Sequence, residues 1–260
     1  MPKVKDIANL IEAAAPLQLA LPWDNPGLLA GDPESEVKKI LVALDTDMFT
    51  VNEAVKNSCD MIVSHHPILF GGTKNVSAAV PEGRLIRKLI QSNIAVYAAH
   101  TNMDKAEHGI NARLAEMFKL KNVHILEPDE HVEGAGMGRF GELQSALDMP
   151  DFCALAKSAL KTPFLRIAGN TEGKIKKLCI VSGAGADYIK AAKDAGCDAL
   201  LTGDVKYHEA RDAEETGITV ADAGHFPTEN IVREIFDEIL KNSGAEIVFS
   251  HAEDAFKFIQ

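Results

Sequence analysis

The sequence predicts an α/β protein of two similar, duplicated lobes, each built on mainly parallel strands buried on both faces. Three observations carry that prediction. Continuous apolar runs alternate with helical patterns in the order β-α-β-α-β, the same order returns later in the chain, and the two passes share residues in constant register.

In the first pass the apolar runs cover residues 40–44, 61–63 and 94–99. None alternates, as expected of strands covered on both sides. Thr50-x-x-Glu53 reads as a capping box inside the first connecting segment. The second pass places strands at 178–182, 199–202 and 218–221 and a helix at 188–193. Lys38-Lys39 and Lys176-Lys177, Ala54 and Ala192, and Cys59-Asp60 and Cys197-Asp198 all stand 138 residues apart, which points to an internal duplication. Each pass then ends its third strand in a similar run, His100-Thr-Asn-Met-Asp104 in the first and His225-Phe-Pro-Thr-Glu229 in the second, both of the form H-x-x-x-[D/E]. An amphipathic helix and an apolar strand follow each, at 110–118 with 123–126 and at 231–240 with 246–249. The stretch at about 127–175, with Gly134, Gly136, Gly138 and Gly141 and a helix near 152–160, is read as the start of the second lobe. The expected division is therefore 1–127, carrying His65, His66 and Asp104, and 128–260, carrying His225 and Glu229.

A chain of 260 residues can bury one large or two small cores. Its net charge of −11 excludes a general nucleic-acid or anionic-membrane binder, which needs cationic surface. No apolar run approaches the roughly 18 residues that a membrane span requires. Ile7, Leu10 and Ile11 give the N-terminal segment the pattern of an amphipathic helix rather than a signal peptide. Cys59, Cys153, Cys179 and Cys197 form no C-x-x-C pair and sit in or beside apolar segments, so reduced thiols and a cytoplasmic setting are expected.

Ligands gather beyond the carboxyl ends of parallel strands, and the candidate chemistry lies there. His65-His66 closes the strand at 61–64, with Asp104, His225 and Glu229 at the ends of others. Adjacent residues of a regular strand point to opposite faces, so two neighbouring histidines cannot share one ion while extended. At a strand end followed by Pro67 they can diverge toward two ions. Imidazole with carboxylate suits zinc, iron or manganese, and five donors serve two ions when one carboxylate bridges. Such a pair can activate water at neutral pH.

Weaker candidates surround this set. Gly183-Ala-Gly185 follows a strand and opens a helix, where it is either a phosphate cradle or a tight structural turn; Tyr188 stands where a third glycine would complete the dinucleotide fingerprint. His208 lies beyond the strand that the repeat pairs with the one bearing His65, where it is a candidate proton shuttle, a hydrogen-bond donor behind a ligand, or a plain surface histidine. His108, His124, His131 and His251 read as structural or exposed. There is no G-x-S-x-G elbow and no P-loop.

Five runs in order, Trp23-Asp-Asn-Pro-Gly-Leu28, Ser64-His-His-Pro-Ile-Leu-Phe-Gly-Gly72, Ala99-His-Thr-Asn-Met-Asp104, Thr202-Gly-Asp204 and Gly224-His225 through Glu229, resemble the motifs of the Nif-three-like family, also named the GTP cyclohydrolase 1 type 2 family. The resemblance covers nearly the whole chain, in the short form without a large central insertion. It implies two α/β lobes with a dinuclear metal site between them and a homohexamer assembled as a trimer of dimers. It also implies that His66 and Asp104 hold one ion, His65 and His225 the other, and that Glu229 bridges both. His100 falls outside the family's usual ligands and becomes a near-site residue, a second candidate proton shuttle beside His208. The family name implies a metal-dependent hydrolase opening the ring of GTP, so a nucleotide or related heterocycle is the expected substrate. The competing reading is a non-catalytic metal-handling or regulatory protein that uses the same five ligands.

Overall fold

The computed structural model describes residues 1–257 as two compact units. Unit 1 comprises Met1–Met103 together with the C-terminal segment from Val232 onward, and unit 2 comprises Asp104–Ile231.

Unit 1 opens with α1 (Val4–Ala14), β1 (Gly27–Ala30), β2 (Lys39–Ala43), α2 (Met48–Lys56), β3 (Met61–Ser64), α3 (Pro81–Ser92) and β4 (Ala95–Ala98). The short α4 (Thr101–Lys105) crosses into unit 2, which continues through α5 (Ile110–Met117), β5 (Lys121–Pro128), β6 (Gly136–Leu147), α6 (Met149–Leu160), β7 (Arg166–Gly169) and β8 (Ile175–Ile180). It ends with α7 (Ile189–Asp194), β9 (Ala199–Thr202), α8 (Tyr207–Thr216), β10 (Thr219–Asp222) and α9 (His225–Glu229). The chain then returns to unit 1 as α10 (Val232–Leu240) and β11 (Glu246–Phe249).

In unit 1 the sheet order is β1-β4-β3-β2-β11. Strands β4, β3, β2 and β11 are parallel, and β1 adds antiparallel to β4 at the edge. Every residue of β3 and β4 is buried, which explains their unalternating apolar sequence. Leu41, Val51, Ala54, Ile62, Leu89 and Val96 form a core between this sheet and its helices.

Unit 2 is more mixed than the sequence predicts. Its sheet runs β5-β6-β8-β9-β10-β7, with β8, β9 and β10 parallel and the remaining three pairings antiparallel. The glycines of 134–141, in the stretch read as the start of the second lobe, belong largely to the long β6. A Cβ at Gly136 would stand 2.3 Å from the Glu127 carbonyl oxygen, so glycine there serves the close approach of β5 rather than a break in the strand.

Two further expectations are corrected. The division at 127/128 gives way to the partition above, because β11 pairs with β2 and α10 packs on α1, returning the C-terminal segment to unit 1 while residues 104–127 join unit 2. Asp104 thus belongs to unit 2. The Thr50–Glu53 capping box is also not formed: Asp47 caps α2, accepting from the Thr50 amide at 2.8 Å, and Thr50 lies inside the helix. Glu53 instead accepts from Ser250 Oγ at 2.6 Å and from the His251 amide, which ties the C-terminal segment to α2. Cys59, Cys179 and Cys197 are buried and Cys153 half-buried, all as free thiols. Among the described residues no helix is long and apolar enough to cross a membrane.

Candidate metal centre

Unit 1 gathers three imidazoles where its strands end. The His65 and His66 amides both donate to the Leu44 carbonyl, at 3.1 and 3.0 Å, so the chain leaves its extended geometry immediately after Ser64. Strand alternation stops there, and the two rings lie side by side with centroids 5.0 Å apart. His100, two residues past β4, adds its ring at 5.0 Å from His65 and 5.4 Å from His66. One donor atom from each of the three falls within 4.8 Å of the others, a spacing able to hold a metal ion.

Each ring is fixed through Nδ1. That of His65, which is fully buried, lies 2.8 Å from the Ala99 carbonyl; those of His66 and His100 lie 2.7 and 2.8 Å from Asp45 and Asp24. A carbonyl or carboxylate can only accept, so Nδ1 carries the proton and the lone pair of the neutral ring resides on Nε2. Asp24 is enclosed. Burial alone would raise its pKa, but hydrogen bonds from His100 and Thr101 prevail and hold it at about 2. Trp23 and Phe70, both exposed, set ring edges against His100 at 5.8 and 5.6 Å.

Unit 2 supplies carboxylates and one imidazole. Asp104 is buried; its carboxylate accepts from Ser182 Oγ at 2.8 Å and its carbonyl from Asn111 Nδ2 at 3.1 Å. His225 opens α9 and Glu229 closes it, so the i,i+4 spacing of a helix brings His225 Nε2 to 2.8 Å from Glu229 Oε2. Asp204 approaches His225 Nδ1 from the other side at 2.8 Å. Glu229 lies in a cradle that only glycine permits: Gly183 has φ +62°, and a Cβ there would stand 2.0 Å from Glu229 Oε1 and 3.3 Å from His225 Nε2. Half-buried His225 and buried Glu229, 2.8 Å apart and with no room for one further methyl group at Gly183, offer a donor set that fits a small cation.

The shared H-x-x-x-[D/E] pattern does not give equivalent placement. His100 precedes its helix and turns to Asp24, whereas His225 is the first residue of α9 and turns to Glu229. The phosphate alternative for Gly183-Ala-Gly185 loses its donors: the Gly183 amide bonds Thr228 Oγ1 at 3.0 Å and the Gly185 amide bonds Thr202 Oγ1 at 2.8 Å. His208 is exposed in the first turn of α8, edge-on to Tyr207 at 5.5 Å. His124 stacks on Phe140, and His251 pairs with Glu53. Asp24, Asp45 and Asp204 were missed as site residues. Asp24 and Asp204 lie inside the quoted motifs, which was a usable signal; Asp45 carries none beyond its place just after a strand.

A family model described as Duf34/NIF3 (NGG1p interacting factor 3) matches residues 2–255. The chain belongs to the NIF3 family. It is 35% identical, over 99% of its length and all of the relative's, to a Clostridium perfringens protein named GTP cyclohydrolase 1 type 2 homolog. A Clostridium acetobutylicum relative of the same name is 39% identical, covering 87% of this chain and 85% of its own. Among solved structures, a Staphylococcus aureus protein superposes with a TM-score of 0.90 at 30% identity, covering 99% of both chains. The reduced form of HcgD from Methanocaldococcus jannaschii gives 0.83 at 32%, over 95% of this NIF3-family chain and 97% of its own.

Proposed function

We propose that this NIF3-family chain holds two divalent metal ions and hydrolyses a nucleotide or related heterocycle. Following the family resemblance, His66 and Asp104 hold one ion, His65 and His225 the other, and Glu229 bridges them. The observation that carries the proposal is donor orientation: in unit 1 the imidazoles have Nδ1 engaged, and in unit 2 His225 and Glu229 converge in the Gly183 cradle. The donor chemistry suits zinc, iron or manganese. When bound, such a pair lowers the pKa of water and stabilises charge developing on a leaving oxygen.

The chain's own residues do the rest. Asp24 keeps the His100 proton on Nδ1, so Nε2 is the atom that takes up and releases a proton. His208 is the second candidate carrier. A carboxylate-backed imidazole beyond the five ligands favours hydrolysis over metal handling, which has no use for a proton carrier. The relatives named GTP cyclohydrolase 1 type 2 homolog support a purine nucleotide as the first substrate to try. The same resemblance leads us to propose a homohexamer built as a trimer of dimers, and the unpaired cysteines a cytoplasmic protein. The residues repeated at a spacing of 138 support an internal duplication.

The test is turnover. Metal-reconstituted protein is incubated with a nucleotide panel including GTP while formate, phosphate and ring absorbance are followed. Turnover that chelation abolishes supports the hydrolase; a fully loaded protein inert on the whole panel leaves metal handling as the better reading. A light-scattering mass near one 28.0 kDa chain rather than six would overturn the hexamer.

A further inference from the structure

We infer that Asp45 and Asp204 are positioning residues, each orienting one metal-ligating imidazole and so setting the affinity of one ion independently of the other. The inference rests on the dinuclear reading above. In unit 1, Asp45 stands two residues past β2 and reaches His66, two residues past the adjacent parallel strand β3. In unit 2, Asp204 stands two residues past β9 and reaches His225, just past the adjacent parallel strand β10. Both pairs are 21 residues apart in sequence and join a carboxylate oxygen to Nδ1, at 2.7 and 2.8 Å.

Repetition of the scaffold does not explain this likeness. In the register that relates Asp60 to Asp198, 138 residues apart, Asp45 falls opposite Gly183 and His66 opposite Asp204. The same device has therefore been built twice at unrelated positions, which points to a demand of the site rather than a relic of ancestry. Asp204 adopts φ +54°, a left-handed backbone conformation that non-glycine residues adopt sparingly. In unit 1 the Leu44 carbonyl clamps the backbone of both histidines, and the next residue, Asp45, clamps the ring of His66.

The chemistry follows from the acceptor. A carboxylate on Nδ1 holds its proton there, presents the Nε2 lone pair and raises the basicity of the ring toward a cation. His65 turns its Nδ1 to the Ala99 carbonyl, a neutral acceptor. On the proposed assignment each ion thus receives one carboxylate-backed imidazole, His66 for one and His225 for the other. Asp45 and Asp204 leave 52% and 47% of their side chains exposed, so replacing them leaves the buried core intact.

The experiment titrates metal-stripped full-length protein with Zn²⁺ against a chromophoric chelator, for wild type, Asp45→Ala, Asp45→Asn, Asp204→Ala and Asp204→Asn, with thermal melts as a folding control. Each alanine variant is expected to weaken one ion by about 10–100-fold and leave the other nearly unchanged. Asparagine, whose carbonyl still accepts from Nδ1, should restore much of the loss. Asp45→Ala should add nothing in a His66→Ala background, nor Asp204→Ala in a His225→Ala background, because the partner ring is already gone. Affinities within twofold of wild type, asparagine no better than alanine, or undiminished effects in those backgrounds would overturn the inference. Wild type that takes up one ion defeats the dinuclear reading while leaving the matching aspartate to be judged on that ion; wild type that takes up none overturns both.

Discussion

Units 1 and 2 solve one backbone problem in the same way and then diverge at the opposite ends of their strands. Asp60 accepts from the Lys38 and Lys39 amides at 2.7 and 3.0 Å, and Asp198 from the Lys176 and Lys177 amides at 2.9 and 2.7 Å. The Cys59 amide bonds the Ala54 carbonyl, as the Cys197 amide bonds that of Ala192. Beyond the carboxyl ends the likeness fails: β3 runs into His65-His66, whereas β9, in the same register, runs into Gly203-Asp204. Unit 1 offers imidazoles and unit 2 mainly carboxylates. The two units share hydrogen bonding at the strand entries and differ at the exits, the end of a parallel sheet where ligands gather.

The largest effect is expected at Gly183, where unit 2 carries a glycine and unit 1, in the same register, carries Asp45. Gly183→Ala puts a methyl group on Glu229 and on a left-handed backbone, so metal uptake should fall by orders of magnitude. Gly71→Ala meets nothing within 4 Å and should bind metal as wild type does. Elemental analysis after reconstitution compares them, and equal metal content in the two variants would remove Glu229 from the centre.

Removing single ligands sharpens the division of labour. Glu229→Gln keeps the shape and loses the charge that separates two dications, so the second ion should bind far more weakly, while His65→Ala and His66→Ala should each empty mainly one position. Two tightly held ions in Glu229→Gln would refute the bridge.

Asp24 gives unit 1 an acid sensitivity of its own. Its folded pKa of about 2 lies below its ordinary value of 3.8, so its contribution to stability is complete above about pH 4 and is lost as pH falls through 2. Asp24→Asn should lower the melting temperature at neutral pH and flatten its decline between pH 4 and 2. A parallel decline in both proteins would show that the buried carboxylate is not the source.

The entry aspartates should behave as a matched pair. Asp60→Ala and Asp198→Ala each remove an acceptor from two amides and should cost on the order of 1 kcal/mol in denaturant unfolding, with metal content unchanged. Markedly unequal losses would break the comparison.

The smallest effect belongs to Thr50. Its buried hydroxyl has no hydrogen-bond partner among the described residues, so Thr50→Val should be neutral or slightly stabilising, while loss of the true cap in Asp47→Ala should cost about 1 kcal/mol. Thermal melts that reverse this order would restore the capping box that the sequence suggests.

The sequence by itself determined the local pattern. Fully buried strands must be continuously apolar, so β2, β3, β4, β9 and β10 were legible within a residue or two, as were α5, α10 and β11. The five candidate donors could be named from the sequence because short motifs carry them just after apolar runs. Tertiary structure decided what depends on partners remote in sequence. Only pairing reveals that β11 returns to β2, that β1 and β6 run antiparallel, and that Asp24 meets a histidine 76 residues away. The Thr50-x-x-Glu53 reading failed for the same reason, since Glu53 is claimed by Ser250 and His251, nearly 200 residues downstream. Periodicity records whether a position faces core or water; it holds no record of which distant hydrogen-bond donor a carboxylate will meet once the chain has closed.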